Sequence, residues 1–442
     1  MDKKAVAVPV TVLLALSVLG FVVFTGGDDS EPVLHDSYNL NSENENLTFL
    51  IGESRLLQSK TGNDSEEGFL SSLISKAEGL PLVSRDLVWD NLERVYLGLI
   101  GSDVSEGKIV QLSDGEISST HVEDELIVHV IQESGTESEY DFYAGTYDNG
   151  LLIGGSFEDD GSFSYETIAE LDDRVRELDI ADVTDDGQKE LLVTTHYDGI
   201  TAVYSPQNDW EKTVIDKEHY GKGDTYSHEV KAGDITGDGK KEIVATPSEP
   251  NTWEDEQKGV IKIFSYSNGD WNTIETDELE RSHIRKVVLN PEDNSIIGGA
   301  AQRDSPYTRD ASLIKYGYDE GELVEKNETV FEDPLRNLYP FLVERSEDNL
   351  VVGLSSDSQA VVVNAETMKH LYTESFLQGF EEFYSATSFD YTGNSEEELL
   401  ITQDGDIVIY EVTEEEMVEL ERIEVYDSFD FSIIWSSEVI ER

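Results

Sequence analysis

From about Arg94 onward the chain is a succession of short apolar or alternating runs, rich in Val, Ile, Leu and Tyr and separated by turns. Runs this short and this β-branched read as strands, not helices. The grammar is clearest at Ser227–Gly233, Glu242–Thr246, Val260–Tyr266 and Trp271–Thr276, four expected strands with Ser267-Asn268-Gly269-Asp270 as a hairpin turn. It recurs over Val175–Ile215, where Tyr197-Asp198-Gly199 ends the second strand, and over about Asp124–Glu170, where Tyr147-Asp148-Asn149-Gly150 repeats that ending. Further units begin at Ile284 (strands Ser295–Ala300 and Ser312–Tyr318), at Leu335 (Asn349–Leu354 and Ala360–Asn364) and at Ala386, running to about Val425. Arg94–Val122 supplies three strands and lacks an innermost one, while Phe429–Val439 is a strand without a blade. Joining the two ends closes a ring and removes an exposed sheet edge. The expectation is an all-β propeller of four-stranded blades, seven in number, closed by N- and C-terminal strands. The weak pattern over 94–140 leaves six and eight open.

Three turns within this pattern are acidic and in phase. Asp234–Ile243 reads DITGDGKKEI, Asp182–Leu191 reads DVTDDGQKEL and Asp390–Leu399 reads DYTGNSEEEL. Asp234 follows Asp182 by 52 residues, and Asp390 follows Asp234 by 156, three times that interval. A fixed period near fifty with strands in each unit marks propeller blades. Oxygen-bearing residues stand at loop positions one, three, five and nine: Asp182, Thr184, Asp186 and Glu190; Asp234, Thr236, Asp238 and Glu242; Asp390, Thr392, Asn394 and Glu398. The backbone carbonyls of Gln188, Lys240 and Glu396 fill position seven. A hard cation such as Ca²⁺ takes six to eight oxygens, and this spacing supplies about five. An EF-hand would carry a bidentate acid at position twelve and then a helix; Ala245 stands there, inside an apolar run.

These loops resemble the FG-GAP or VCBS repeat family, which includes the integrin α-subunit β-propeller. Asp234–Pro247 is the closest copy, and the resemblance covers roughly residues 90–440. It implies a propeller held by structural calcium, with ligands taken on the face opposite the acidic turns. No copy keeps a Phe-Gly pair, every copy has Thr at position three, and Ser395 replaces the glycine of the third copy, which makes that site the weakest.

Composition changes the setting. With 95 acidic and 31 basic residues the formal charge is −64. Such a balance ordinarily predicts disorder, but 38% hydrophobic residues in strand-like runs provide a core. The reading that reconciles the two is a halophile's protein, since at molar salt the Debye length falls to about 3 Å and surface carboxylates cease to repel. The same charge argues against nucleic-acid binding and polybasic lipid docking.

Ahead of the propeller, Lys3 and Lys4 precede the uncharged run Ala5–Thr25, and Asp28, Asp29 and Glu31 follow it. Its length spans a bilayer, with the N-terminus inside and the body outside. A retained anchor over 1–27 is therefore expected, with a cleaved signal peptide and a secreted body as the competing reading. Residues 28–46 read as an acidic tether, and 47–93 as an extension with a short amphipathic helix at Glu66–Glu78. The propeller is placed at 94–442. The chain has no cysteine, which excludes disulfides and a lipidated cysteine anchor.

Nucleophile-elbow, Walker and histidine-metal motifs are absent, and the eight histidines read as surface or strand packing. The long loops Glu218–Ser227, Ser248–Gly259 and Gln302–Ala311 carry Tyr220, Tyr226, Trp253, Arg303, Tyr307 and Arg309 on the face opposite the acidic turns, an expected ligand-binding face. The function expected is a membrane-anchored, calcium-binding surface module that binds an extracellular protein or glycan. The alternative is a secreted lyase or glycosidase using central carboxylates. Convergent acids or an Arg–carboxylate pair in the central channel would favour the enzyme.

Overall fold

The computed structural model describes residues 47–56, 105–113, 116–122, 127–132 and 140–441, the last apart from 147–148, 158–162, 172, 222–224, 250–257, 277–283, 301–310, 332–334, 336–337, 356–358, 377–385, 404–405 and 426–431. Ala5–Thr25, the tether and the helix expected at Glu66–Glu78 lie outside these residues. Among the described residues no helix is long and apolar enough to cross a membrane.

Among the described residues all regular structure is β apart from one short 3-10 turn at Pro206–Asn208. Strands β1 (Leu47–Leu56), β2 (Ser105–Ser113) and β3 (Glu116–Val122) come first. Six antiparallel sheets follow, each made of four consecutive strands. Their innermost strands are β4 (Ile127–Gln132), β8 (Val175–Ala181), β12 (Tyr226–Gly233), β16 (Ile284–Asn290), β20 (Leu338–Val343) and β24 (Ala386–Phe389). The remaining sheet is shared between the chain's two ends: β28 (Ser432–Glu441) pairs with β1 in the order β28-β1-β2-β3. The propeller of four-stranded blades is therefore as expected, with six contiguous blades and one composite sheet. Leu47–Leu56, placed in an extension outside the propeller, is instead a strand of the closing sheet, between β28 and β2. Sequence pattern could not find it because its partners lie at the far end of the chain and across an intervening stretch.

Within a blade, burial falls from the middle outwards. In the β8 blade the second and third strands, Glu190–Thr195 and Thr201–Ser205, are buried almost throughout, whereas the fourth, Glu211–Asp216, is mostly exposed. The period-two alternation of strands puts successive side chains on opposite blade faces. Leu191 and Val193 pack towards the preceding blade and Leu192 towards the next. Ile109 and Val110 show the same division at the closing sheet. Ile109 packs on the β4 blade and Val110 on the β24 blade. Apolar interfaces thus run round the ring, each fully buried Leu, Ile or Val contributing about 1.5–3 kcal/mol.

The innermost strands touch in sequence, β4 to β8, β12, β16, β20, β24, β28 and back to β4, and so line a central channel. Four of them carry a β-bulge near the same end. Register slips between Ile127 and His129 in β4, Val175 and Glu177 in β8, Ser227 and Val230 in β12, and Ile284 and Val287 in β16. A bulge breaks strict alternation and re-aims the side chains it carries.

Candidate functional site

In all three acidic turns the first acid accepts two backbone N–H groups of its own loop, one of them at position six. Asp234 accepts from the N–H groups of Gly237 (2.7 Å) and Gly239 (2.9 Å), and Asp238 accepts from that of Lys240 (2.9 Å). Asp182 accepts from Asp186 and Gly187, and Asp186 from Gln188; Asp390 accepts from Asn394 and Ser395, and Asn394 from Glu396. Tight reversal demands positive φ at position six, which Gly187 and Gly239 take freely and Ser395 takes at φ 67°, a strained conformation for a side-chain-bearing residue.

The acid at position nine behaves differently from the other donors. Glu190, Glu242 and Glu398 are buried, and each accepts the hydroxyl of its loop's threonine at 3.0–3.1 Å. Glu242 also accepts the N–H groups of Ile235 and Thr236, Glu398 those of Tyr391 and Thr392, and Glu190 that of Val183. Burial raises the carboxyl pKa of all three, against these hydrogen bonds. No group of three or more His, Asp or Glu side chains among the described residues is arranged to hold a metal ion. Each accepting oxygen retains a further lone pair. The donors fit a cation only with help from water and the carbonyl of Gln188, Lys240 or Glu396.

Where the acidic motif has decayed, cationic side chains take part instead. Lys315 Nζ lies 2.5 Å from Asp293 and donates to the carbonyl of Ala365. Arg345 pairs with Glu396 of the neighbouring blade's turn.

The richer chemistry lies in the channel, on β8, β12, β16 and β20. Both carboxylates Glu177 and Glu229 lie 3.8 Å from the ammonium of Lys231, and Glu177 lies 3.8 Å from that of Lys286. Glu229 is 1% exposed, and no hydrogen bond reaches its Oε1. Burial, then the charge of Glu177, pushes its pKa up to about 8. Arg176 stands beside Arg174, Glu177, Glu229 and Tyr339; burial and then Arg174 lower its pKa. Arg285 donates to the Tyr339 hydroxyl at 3.5 Å, and Lys286 lies over the Phe341 ring.

At the channel end away from the acidic turns, four rings gather. His196 packs against Tyr226 (centroids 4.2 Å apart), Tyr197 (4.7 Å) and His228 (5.6 Å), and Arg174 lies over Tyr197 at 4.8 Å. Ser248 Oγ lies 3.0 Å from His228 Nε2 and donates to the Glu249 carbonyl at 3.1 Å. Burial, then Arg174, holds the His196 pKa well below the usual imidazole value, so the ring is neutral. A neutral imidazole, aromatic faces and guanidinium groups together form a surface able to stack on a ring and to hold a negative charge.

Of the residues expected on the ligand face, Tyr226 belongs to this cluster. Tyr220 sits instead against His219 in the preceding loop, its N–H bonded to Thr225. Trp253, Arg303, Tyr307 and Arg309 lie outside the described residues. His196 and His228, buried and packed against neighbouring rings, lie at the channel mouth beside residues that the strand pattern does not single out, Arg174, Arg176, Glu177, Glu229 and Arg285. Their signal was present in VRELDIA, YSHEVKAG and IRKVVLN, where charged pairs recur inside strands that otherwise bury their residues.

No protein-family description matches the chain, and no curated protein does. Solved structures do. A protein from Lactobacillus plantarum, a structural genomics target, aligns with TM-score 0.50 at 9% identity over 89% of this chain and 100% of its own. The periplasmic gluconolactonase of Pseudomonas aeruginosa aligns at 0.49 and 11% over 74% of this chain and 93% of its own. Saccharomyces cerevisiae Sqt1 aligns at 0.46 and 12% over 67% of this chain and 76% of its own. At these identities the likeness concerns the fold alone, and the fold is a β-propeller.

Proposed function

We propose that this protein is an extracellular binding propeller whose ligand enters the central channel on the face away from the acidic turns. One observation carries the reading: neighbouring bulged inner strands bring Arg174, Arg176, His228, Glu229 and Arg285 together with the rings of His196, Tyr197 and Tyr226. Bulges recur beside binding sites because they re-aim side chains, and a polar cluster this well buried adds little to stability by itself. In this reading the composite sheet counts as a blade, giving a seven-blade ring. Ala5–Thr25 anchors the body to the membrane, and the −64 charge reflects a saline habitat. Calcium joins the turns at Asp182 and Asp234 with dissociation constants of about 10⁻⁴–10⁻³ M, as in extracellular modules.

The test is a binding screen of the full chain against glycans and surface proteins in molar KCl. Tyr197→Ala and Tyr226→Ala should each weaken capture about fivefold or more, the loss of at least about 1 kcal/mol expected of an interface anchor. Asp390→Ala, on the opposite face, should leave capture unchanged. The reverse pattern would put the site on the acidic face.

A second reading is favoured by the Glu177–Glu229 pair, because two acids beside shared cations, one holding its proton at neutral pH, are the equipment of a glycan-cleaving enzyme. Release of new sugar ends by the wild type and not by Glu229→Gln would establish it.

A further inference from the structure

Glu177 and Glu229 are served by Lys231 and Lys286, as the 3.8 Å contacts show. The three guanidinium groups lie on the mouth side of that set. Arg174 rests on the Tyr197 ring, and Arg285 donates to the hydroxyl of Tyr339. Arg176 is half-buried beside the charges of Glu177 and Glu229, and its Nε meets no hydrogen-bond acceptor. Five cationic side chains are thus gathered in one sector of a chain whose 442 residues include only 31 Lys and Arg. A guanidinium carries five N–H donors, and those left unused within the protein can serve an acceptor that a ligand brings. The side chains around it add unused capacity. His196 Nδ1 and the hydroxyls of Ser227 and Thr246 are likewise buried without a hydrogen-bond partner.

We infer that the channel mouth binds a carboxylate-bearing ligand, with Arg176 as its counter-charge and Arg174 and Arg285 flanking it. This rests on the mouth being the binding site. A planar guanidinium pairs with a carboxylate through two parallel hydrogen bonds. Aromatic faces alongside suit a ligand whose acid sits on a sugar ring, and a small organic acid shares the same chemistry. A phosphate dianion suits the mouth less, because Glu177 stands immediately beyond the arginines and repels the second charge. Glu229, which keeps its proton at neutral pH, adds a donor instead of a repulsion.

Isothermal titration of the full chain in molar KCl should compare trigalacturonate, its methyl ester, malonate and inorganic phosphate. The inference expects trigalacturonate to bind and its neutral ester to bind at least tenfold more weakly, about 1.4 kcal/mol. Binding of malonate alone would also support it and assign the carboxylate to a small acid. Arg176→Ala should weaken carboxylate binding about thirtyfold or more, and Arg176→Lys should recover part of the loss. Arg176→Met should abolish binding without lowering the ligand-free melting temperature, because the Arg176 Nε makes no hydrogen bond within the protein. A lowered melting temperature would mark Arg176 as structural and overturn the inference. Equal binding of acid and ester, phosphate binding without carboxylate binding, binding of none of the four, or an Arg176→Ala variant that binds like wild type would also overturn it. If Tyr226→Ala still weakens capture of some ligand in any of those cases, the mouth stands and only its anionic character falls. If Tyr226→Ala also has no effect, the mouth itself is wrong.

Discussion

Glu229 shows how a single residue in this chain escapes pattern reading. In a sequence with 95 acidic residues, a glutamate inside a strand looks like part of a solvated face. Alternation along YSHEVKAG cannot place His228 and Glu229 correctly either, because the bulge between Ser227 and Val230 shifts which face each takes. What burial does to the carboxyl has a measurable consequence. Its folded-state pKa is raised, so between the usual carboxylate range and about pH 8 the folded chain holds a proton that the unfolded chain releases. Stability from this group is therefore lost as pH rises through that window. Glu229→Gln keeps the neutral form at every pH. Its melting temperature should exceed the wild type's at pH 8.5 and approach it at pH 5, as thermal melts across pH would show; a parallel offset at all pH values would contradict this. His196 acts in the opposite sense. Its depressed pKa contributes stability that is present above the usual imidazole value and lost as pH falls below it.

The acidic turn is the element that the sequence made most legible, for a reason that does not involve a metal. Asp at position one, glycine at six and glutamate at nine are each required by a backbone hydrogen bond or by positive φ, so the spacing itself encodes the loop. One role of position nine was not legible: spacing offers Glu242 as a loop ligand but does not show that it is buried and accepts the N–H groups of Ile235 and Thr236. The turn should therefore hold its shape in chelator. Calcium at 10 mM should add about 1.4–2.7 kcal/mol per occupied site for the dissociation constants proposed. Asp234→Ala should remove that increment at its own turn. It should also cost about 1–2 kcal/mol with chelator present, since the N–H groups of Gly237 and Gly239 lose their acceptor. Melting curves of both proteins with calcium and with chelator separate the two effects. Identical curves in chelator would show that the hydrogen bonds contribute nothing.

At the scale of the molecule, closure depends on one composite sheet. Leu47 pairs with Glu441 and Arg55 with Ser432, so β28 supplies the innermost strand of a sheet whose other three strands come from the N-terminal side. A chain ending at Val425 would leave the β1 edge unpaired and take away the inner strand lying between β24 and β4. It should aggregate or melt without cooperativity in molar KCl, which gel filtration and calorimetry would reveal; a monomer melting like wild type would show that closure is dispensable. The pairing also bears on the order of events during synthesis. β1, β2 and β3 leave the ribosome first, yet the strand that completes their sheet is made only after all six contiguous blades. Until then the nascent ring can exist only as an open crescent, its first sheet short of its inner strand. Assembly of the whole circle is therefore gated by translation through Glu441, and a message broken before that point yields a protein that cannot hide its unfinished edge from proteases.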